Sequence, residues 1–141
     1  MAKWLKRLGV GIVGLLIVAQ FIPLARVNPP GRGQAPAPKE VQALFQRSCY
    51  DCHSNETRWP WYSWIAPVSF LIAHDVTEGR RELNFSAWES YQDSRKKRKL
   101  KEIVEQVELS KMPQWYYVLI HPEAKLSAAE RELIIKWAQE G

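Results

Sequence analysis

The chain has 141 residues, a formal net charge of +5 and two cysteines. This length leaves room for one domain, and so few cysteines exclude a disulfide-rich scaffold. Four of the basic residues lie among the first 26, which contain no acid. The rest of the chain is therefore close to neutral, and the high isoelectric point is no argument for nucleic-acid binding.

The N-terminal segment is apolar behind a short basic start. Residues 8–25 contain no charge over eighteen positions, which is the lower limit for a helix that spans a bilayer. A cleaved signal peptide is the alternative, although only Ala25 suits a cleavage position. We predict an N-terminal transmembrane helix, an uncleaved signal anchor over residues 1–26, which gives a single-pass protein of the bacterial inner membrane with its domain in the periplasm.

The next segment, residues 27–38, is rich in proline and glycine and predicts an extended linker. The folded domain is then expected over residues 39–141. Apolar residues recur at helical spacing within it, and Ser127 with Glu130 forms a capping-box signature for a last helix. Because no segment alternates with a period of two, we predict an all-α fold, with helices at about 39–50, 67–83, from 94 and from 127.

Both cysteines lie in "SCYDCHSNETRWPWYSW", residues 48–64, and His53 follows the second directly. A redox dithiol, a structural zinc site and a haem attachment point all use a CxxC pair. A dithiol commonly opens a helix in a βαβ unit and has no need of His53. A structural zinc site needs four ligands, and the chain has no second cysteine pair. Both remain open as alternatives.

Haem attachment accounts for every member of the motif. Two thiols at positions i and i+3 share one helical face, so Cys49 and Cys52 can both reach one porphyrin. His53 is then placed to ligate the iron. We predict one covalent haem c.

Met112 is the candidate for the second axial ligand. It lies in "SKMPQWYY" after the third helix and is the single methionine besides the initiator. Thioether sulfur is a soft iron ligand, and Met/His ligation raises the reduction potential. The alternatives are His121, His74, an open sixth position, and a methionine that only fills the core.

Aromatic side chains follow both halves of the predicted site. Their indole N–H groups, with the guanidinium of Arg58, are candidate donors to the haem propionates, and plain packing is the alternative. We also expect the loop after His53 to supply the carbonyl that orients this imidazole. The candidate pocket residues are Arg58, Trp59, Trp61, Trp64 and Trp115.

The run "RKKRKLK", residues 95–101, is the strongest charge feature. It predicts either a solvated helix start or a surface near Arg95–Lys101 that docks an acidic redox partner or anionic lipid. No nucleic-acid partner is expected.

The motifs "CYDCHSNETRWPWYSWIAPVS", "EGRRELNFSAW", "KMPQWYY" and "HPEAKLS" resemble the bacterial haem-binding-domain family, small exported proteins with a single c-type haem. The resemblance covers nearly all of residues 40–141. It implies haem c at Cys49, Cys52 and His53 in a mostly helical, cytochrome-c-like domain.

These features predict a membrane-anchored mono-haem cytochrome that carries single electrons and is not an enzyme. The alternative is a haem-based sensor or small-ligand binder with an open or displaceable sixth site. The zinc or dithiol module without haem is the third hypothesis.

Overall fold

Helices form the framework of the chain in the computed structural model, which describes residues 2–31 and 33–141. No strand occurs within these residues, so the predicted all-α class is confirmed. Three 3-10 helices connect longer elements at Trp61–Trp64, Phe85–Ser90 and Pro122–Ala124. The α-helices in chain order are α1 (Ala2–Gln20), α2 (Lys39–Ser48), α3 (Tyr50–His53), α4 (Val68–Glu82), α5 (Asp93–Glu108), α6 (Trp115–Ile120) and α7 (Ala128–Glu140).

The predicted transmembrane anchor is wrong. Across the described parts of the chain, no helix combines the length and the apolar character needed to cross a bilayer. Helix α1 includes the basic residues at positions 3, 6 and 7 and ends at Gln20, so its uncharged part extends over only about 20 Å, against roughly 30 Å of hydrocarbon. The single-pass location in the inner membrane, which was inferred from this anchor, is wrong with it.

The core lies between α2, α5, α7 and the 3-10 helix Phe85–Ser90. Phe45 of α2 is 1% exposed and stacks on Phe85 at 4.6 Å between ring centroids. The apolar stripe of α5 faces this pair, as its spacing predicted. In α7, Ile134 is buried, whereas Leu133 is 41% exposed. The predicted capping box between Ser127 and Glu130 is present at the start of α7.

The proline-rich segment contacts the folded domain within its described residues, 27–31 and 33–38. Ala35 is 1% exposed, and the Trp137 Nε1–H of α7 donates to the Pro36 carbonyl at 2.9 Å. A Cβ at Gly33 would lie 2.4 Å from the Ser86 carbonyl oxygen, so only glycine allows this approach of the two backbones. The division of the chain at residues 26 and 38 stays a prediction.

Candidate functional site

The two cysteines and His53 lie where α2 passes into the short helix α3. The Cys49 N–H donates to the Phe45 carbonyl at 2.8 Å, and the His53 N–H donates to the Cys49 carbonyl at 2.9 Å. Cys49 itself has a φ of −128°, so it ends α2 and directly precedes the first residue of α3. Cys49 and Cys52 are separated by about one helical turn, as the CxxCH spacing predicted.

Two cavities open beside this junction. The larger has a volume of about 380 Å³, and Cys49 lines it together with mainly apolar side chains from α2, α5 and α7. The second has a volume of about 300 Å³, and Cys52 lines it together with side chains from α4. His53, Glu82 and Met112 line both cavities. Both volumes fall in the range of ligand-binding pockets.

His53 is held in a fixed orientation by helix α4. Its Nδ1–H donates to the carbonyls of Gly79 at 2.9 Å and Leu83 at 3.0 Å. Since both partners only accept, Nδ1 carries the proton and Nε2 keeps its lone pair. Burial lowers the pKa of His53 and favours the neutral form, which is the form that ligates metals. The prediction that the loop after His53 supplies this carbonyl is wrong.

Gly79 brings α4 into direct contact with the cysteine motif. A Cβ at this position would lie 2.5 Å from the Cys52 carbonyl oxygen and 3.0 Å from its carbon. Any larger residue would push α4 away from α3 and move the carbonyl that His53 uses. Sequence reasoning missed this role, although "EGRREL" was among the motifs that carried the family resemblance.

The chemistry of the thiols argues against the dithiol and zinc alternatives. Both cysteines are free, and burial raises the pKa of each thiol to about 12. Redox-active CxxC pairs instead have a thiol of lowered pKa. Among the described residues, no group of three or more histidine, cysteine or acidic side chains could hold a metal ion.

Met112 is brought to the cavities by the way α5 ends. Ser110 has a φ of +55°, its N–H donates to Val107, and the Lys111 N–H donates to Gln106 at 2.9 Å. This is a Schellman motif with serine in the left-handed position that glycine usually occupies. The chain therefore turns sharply, and Met112 lines both cavities opposite α4.

The two histidines that rival Met112 are placed differently. His74 lies on α4, is exposed, and lines only the second of the two cavities. His121 stacks on Tyr117 at 4.5 Å between ring centroids and hydrogen-bonds to Tyr62 and Glu123. Of these candidates, Met112 is the one that lines both cavities.

The predicted pocket residues are not brought to the cavities. Arg58 binds the Asp51 carboxylate through Nε at 3.1 Å and Nη2 at 3.0 Å. The tryptophans that follow His53 and Met112 line neither cavity, and three of them are more than half exposed. Their contact with haem stays a prediction for Arg58, Trp59, Trp61, Trp64 and Trp115.

Lys99 is a site residue that sequence reasoning missed. It belongs to the basic run, yet it is 5% exposed and lines the larger cavity. Its ammonium pairs with Glu102 at 2.5 Å and lies 3.6 Å from Glu82. The helical spacing could have indicated this position, because Lys99 is four residues before the buried Ile103 and therefore lies on the same face of α5.

Comparison with protein families extends these observations to the whole chain. The model of the haem-binding domain family matches residues 14–140. Comparisons with curated proteins and with solved structures gave no match. The match covers both the cysteine motif and Met112, and it confirms the resemblance that the motifs predicted. The chain belongs to the haem-binding domain family.

Proposed function

We propose that this haem-binding chain is a mono-haem c-type cytochrome that carries single electrons. One observation supports this most directly. The fold brings Cys49, Cys52, His53 and Met112 around two neighbouring cavities, although Met112 is 59 residues from His53 in the sequence. These side chains offer two thiols, one imidazole nitrogen and one thioether, which is the donor set of a covalently attached, six-coordinate haem.

The residues present fit such a group. The larger cavity has a mainly apolar lining with Phe45, Phe85 and Ile134 at its core side, which suits the apolar macrocycle. Cys49 and Cys52 line the two neighbouring cavities that share His53, so both thiols lie beside the proposed iron ligand. His53 presents Nε2 while its Nδ1–H is held by two carbonyls, the arrangement that fixes ligating histidines.

The proposed function follows from the two iron ligands that the chain would supply. When bound, the haem supplies a one-electron change between two oxidation states of iron. His53 and Met112 would both stay bound and leave no position for a substrate, so we infer a carrier and not an enzyme. The apolar side chains of the larger cavity would exclude water from the site.

Fewer basic residues of the run 95–101 are available to contact a partner protein than the sequence suggests. Lys99 faces the cavity, the Arg95 guanidinium lies over the Tyr91 ring at 4.1 Å, and Arg98 pairs with Glu102 at 3.6 Å. If an acidic redox partner docks here as proposed, it would therefore contact mainly Lys97 and Lys101, which are exposed.

A spectrum and a haem stain test the proposal. The full chain would be produced together with the bacterial machinery that attaches haem c, and the denatured polypeptide would be stained for haem. We expect haem to remain on the wild-type polypeptide and to be lost from the Cys49→Ala/Cys52→Ala double variant. Haem that leaves the wild-type chain on denaturation would contradict covalent attachment. A wild-type iron that lacks methionine ligation and binds added carbon monoxide readily would support the sensor alternative.

A further inference from the structure

Asp51, which lies between the two cysteines, collects more hydrogen bonds than a surface carboxylate needs. Its side chain is 15% exposed. Oδ1 accepts from the Arg58 N–H at 3.0 Å and from Arg58 Nε at 3.1 Å, and Oδ2 accepts from Arg58 Nη2 at 3.0 Å. The fourth donor is the Tyr117 hydroxyl, at 2.8 Å from Oδ2. Arg58 thus fixes the orientation of the carboxylate that Tyr117 uses.

Tyr117 lies on α6, five residues after Met112. It lines the second cavity together with His53 and Met112. Its ring stacks on His121, and His121 in turn hydrogen-bonds to Tyr62. Burial, together with the Asp51 carboxylate, raises the pKa of Tyr117, so its hydroxyl stays protonated and can donate.

The segment that bears Met112 is therefore fastened at two ends. At its start, the Met112 N–H donates to the Gln106 carbonyl at the end of α5, at 3.1 Å. At its other end, the Tyr117 hydroxyl donates to Asp51 of α3, the short helix that contains Cys52 and His53. A hydrogen bond to a charged group is stronger than one between neutral groups.

We propose that Asp51 and Tyr117 form a positioning pair that keeps Met112 in place as the sixth ligand and sets how readily an external ligand displaces it. The inference deepens the proposed function and depends on it. Tyr117 hydrogen-bonds to Asp51, and among the hydrogen bonds of the described residues neither the thiols nor the Nε2 of His53 is a partner of this pair. The pair would therefore act on the sixth ligand through the segment that bears Met112.

The chain contains a matched control for the loss of this hydroxyl. Tyr116 is the neighbouring residue on α6, and its hydroxyl donates to Asp75 Oδ2 at 3.1 Å. Asp75 belongs to α4, whereas Asp51 belongs to α3. Tyr116→Phe therefore removes the same atom from the same helix and leaves the contact with Asp51 intact.

The test measures the displacement of the sixth ligand by imidazole in the oxidised holoprotein. We expect Tyr117→Phe to bind imidazole at least about tenfold faster than wild type, with haem still attached to both cysteines. Tyr116→Phe should stay within about threefold of wild type. Asp51→Asn serves as a second variant if Tyr117→Phe fails to fold, and we expect a change in the same direction.

Three outcomes would overturn the proposal. Equal rates for wild type and Tyr117→Phe would show that the pair does not position Met112. Equal acceleration by Tyr116→Phe would show general loosening of α6. A wild-type iron without the methionine-to-iron charge-transfer band at the red end of the visible spectrum would overturn the proposed ligand as well. Only this last result refutes the proposed function together with the positioning pair.

Discussion

The His53 side and the Met112 side of the candidate site are built differently. His53 is held by the Gly79 carbonyl of the 15-residue helix α4 and by the carbonyl of Leu83, the residue directly after that helix. Gly79 also packs against the Cys52 backbone. Met112 lies in a turn after α5 and is followed by the six-residue helix α6, which contributes no buried residue within the described range 33–141. Elements with few buried contacts open at lower free energy than the core.

The contrast separates two tasks within one site. If the chain binds haem as proposed, a rigid histidine side would keep the attachment point and the imidazole fixed whatever the state of the other ligand. A lightly packed methionine side can be tuned by single hydrogen bonds. Substitutions on the histidine side should therefore lower the free energy of unfolding. Substitutions on the methionine side should change the ligation of the iron and leave the fold intact.

The largest effect is expected for Gly79→Ala. The new Cβ would lie 2.5 Å from the Cys52 carbonyl oxygen, so α3 and α4 must separate. We expect the free energy of unfolding to fall by about 1–3 kcal/mol, as for other overpacked sites, in urea denaturation of the holoprotein. Gly11→Ala is the control, because nothing lies within 4 Å of its Cβ. If both variants unfold like wild type, the histidine side is less rigid than its geometry indicates.

Met112→Ala should change the ligation of the haem iron and leave the fold intact. Loss of the thioether should abolish the methionine charge-transfer band and lower the reduction potential, because Met/His ligation raises it. Haem should remain attached, since the cysteines and His53 are on other elements. A spectroelectrochemical titration measures both quantities, and His74→Ala, which alters only the second cavity, should leave them unchanged. An unchanged potential in Met112→Ala would refute the ligand assignment.

Ser110→Gly should stabilise the turn that delivers Met112. A left-handed φ of +55° costs a residue with a side chain about 1 kcal/mol relative to glycine. The gain should be smaller than this, because the Ser110 hydroxyl accepts a hydrogen bond from Arg131. Ser110→Ala keeps the backbone cost and loses the hydroxyl, so it separates the two contributions in thermal unfolding. A Ser110→Gly variant less stable than Ser110→Ala would contradict this account of the turn.

The smallest expected effect is a pH dependence of stability at Glu130, which belongs to neither side of the candidate site. The Ser127 N–H, with further help from Arg47, lowers the pKa of Glu130 from 4.5 to about 2. Because the folded-state pKa is the lower one, this stabilisation is complete above about pH 4.5 and is lost as the pH falls toward 2. The difference in melting temperature between wild type and Glu130→Gln should therefore shrink over that range. The exposed Glu132 on the same helix supplies the control, Glu132→Gln. A difference that stays constant from pH 6 to pH 2 would rule out this linkage.

Local sequence signals predicted much of this molecule. The helical periodicity of α5, the capping box of α7 and the CxxCH spacing each depend on residues within about one or two turns, and the structure has all three. The position of Met112 beside the cavities agrees with its selection from the sequence. Few residue types can ligate haem iron, so the sequence offered few candidates for this role.

The errors share a different origin. The carbonyl partners of His53 are Gly79 in α4 and Leu83 directly after it, 26 and 30 residues away in the sequence, a separation over which no local pattern carries information. Lys99 was assigned by its charge to the surface, whereas its helical position turns it inward. The apolar N-terminal stretch satisfied a count of uncharged residues, but its helix ends at Gln20 before the stretch does.

The proline-rich segment has a practical consequence for any attempt to isolate the domain. Arg80 donates to the Ser54 carbonyl, directly after His53, at 2.7 Å, and the same guanidinium donates to the Val27 carbonyl at 2.7 Å and to Asn28 Oδ1 at 2.8 Å. A chain shortened to begin at residue 39 would strip away these last two acceptors and uncover the surface that Ala35 covers. The shortest chain that keeps both of these acceptors and Ala35 therefore begins no later than Val27.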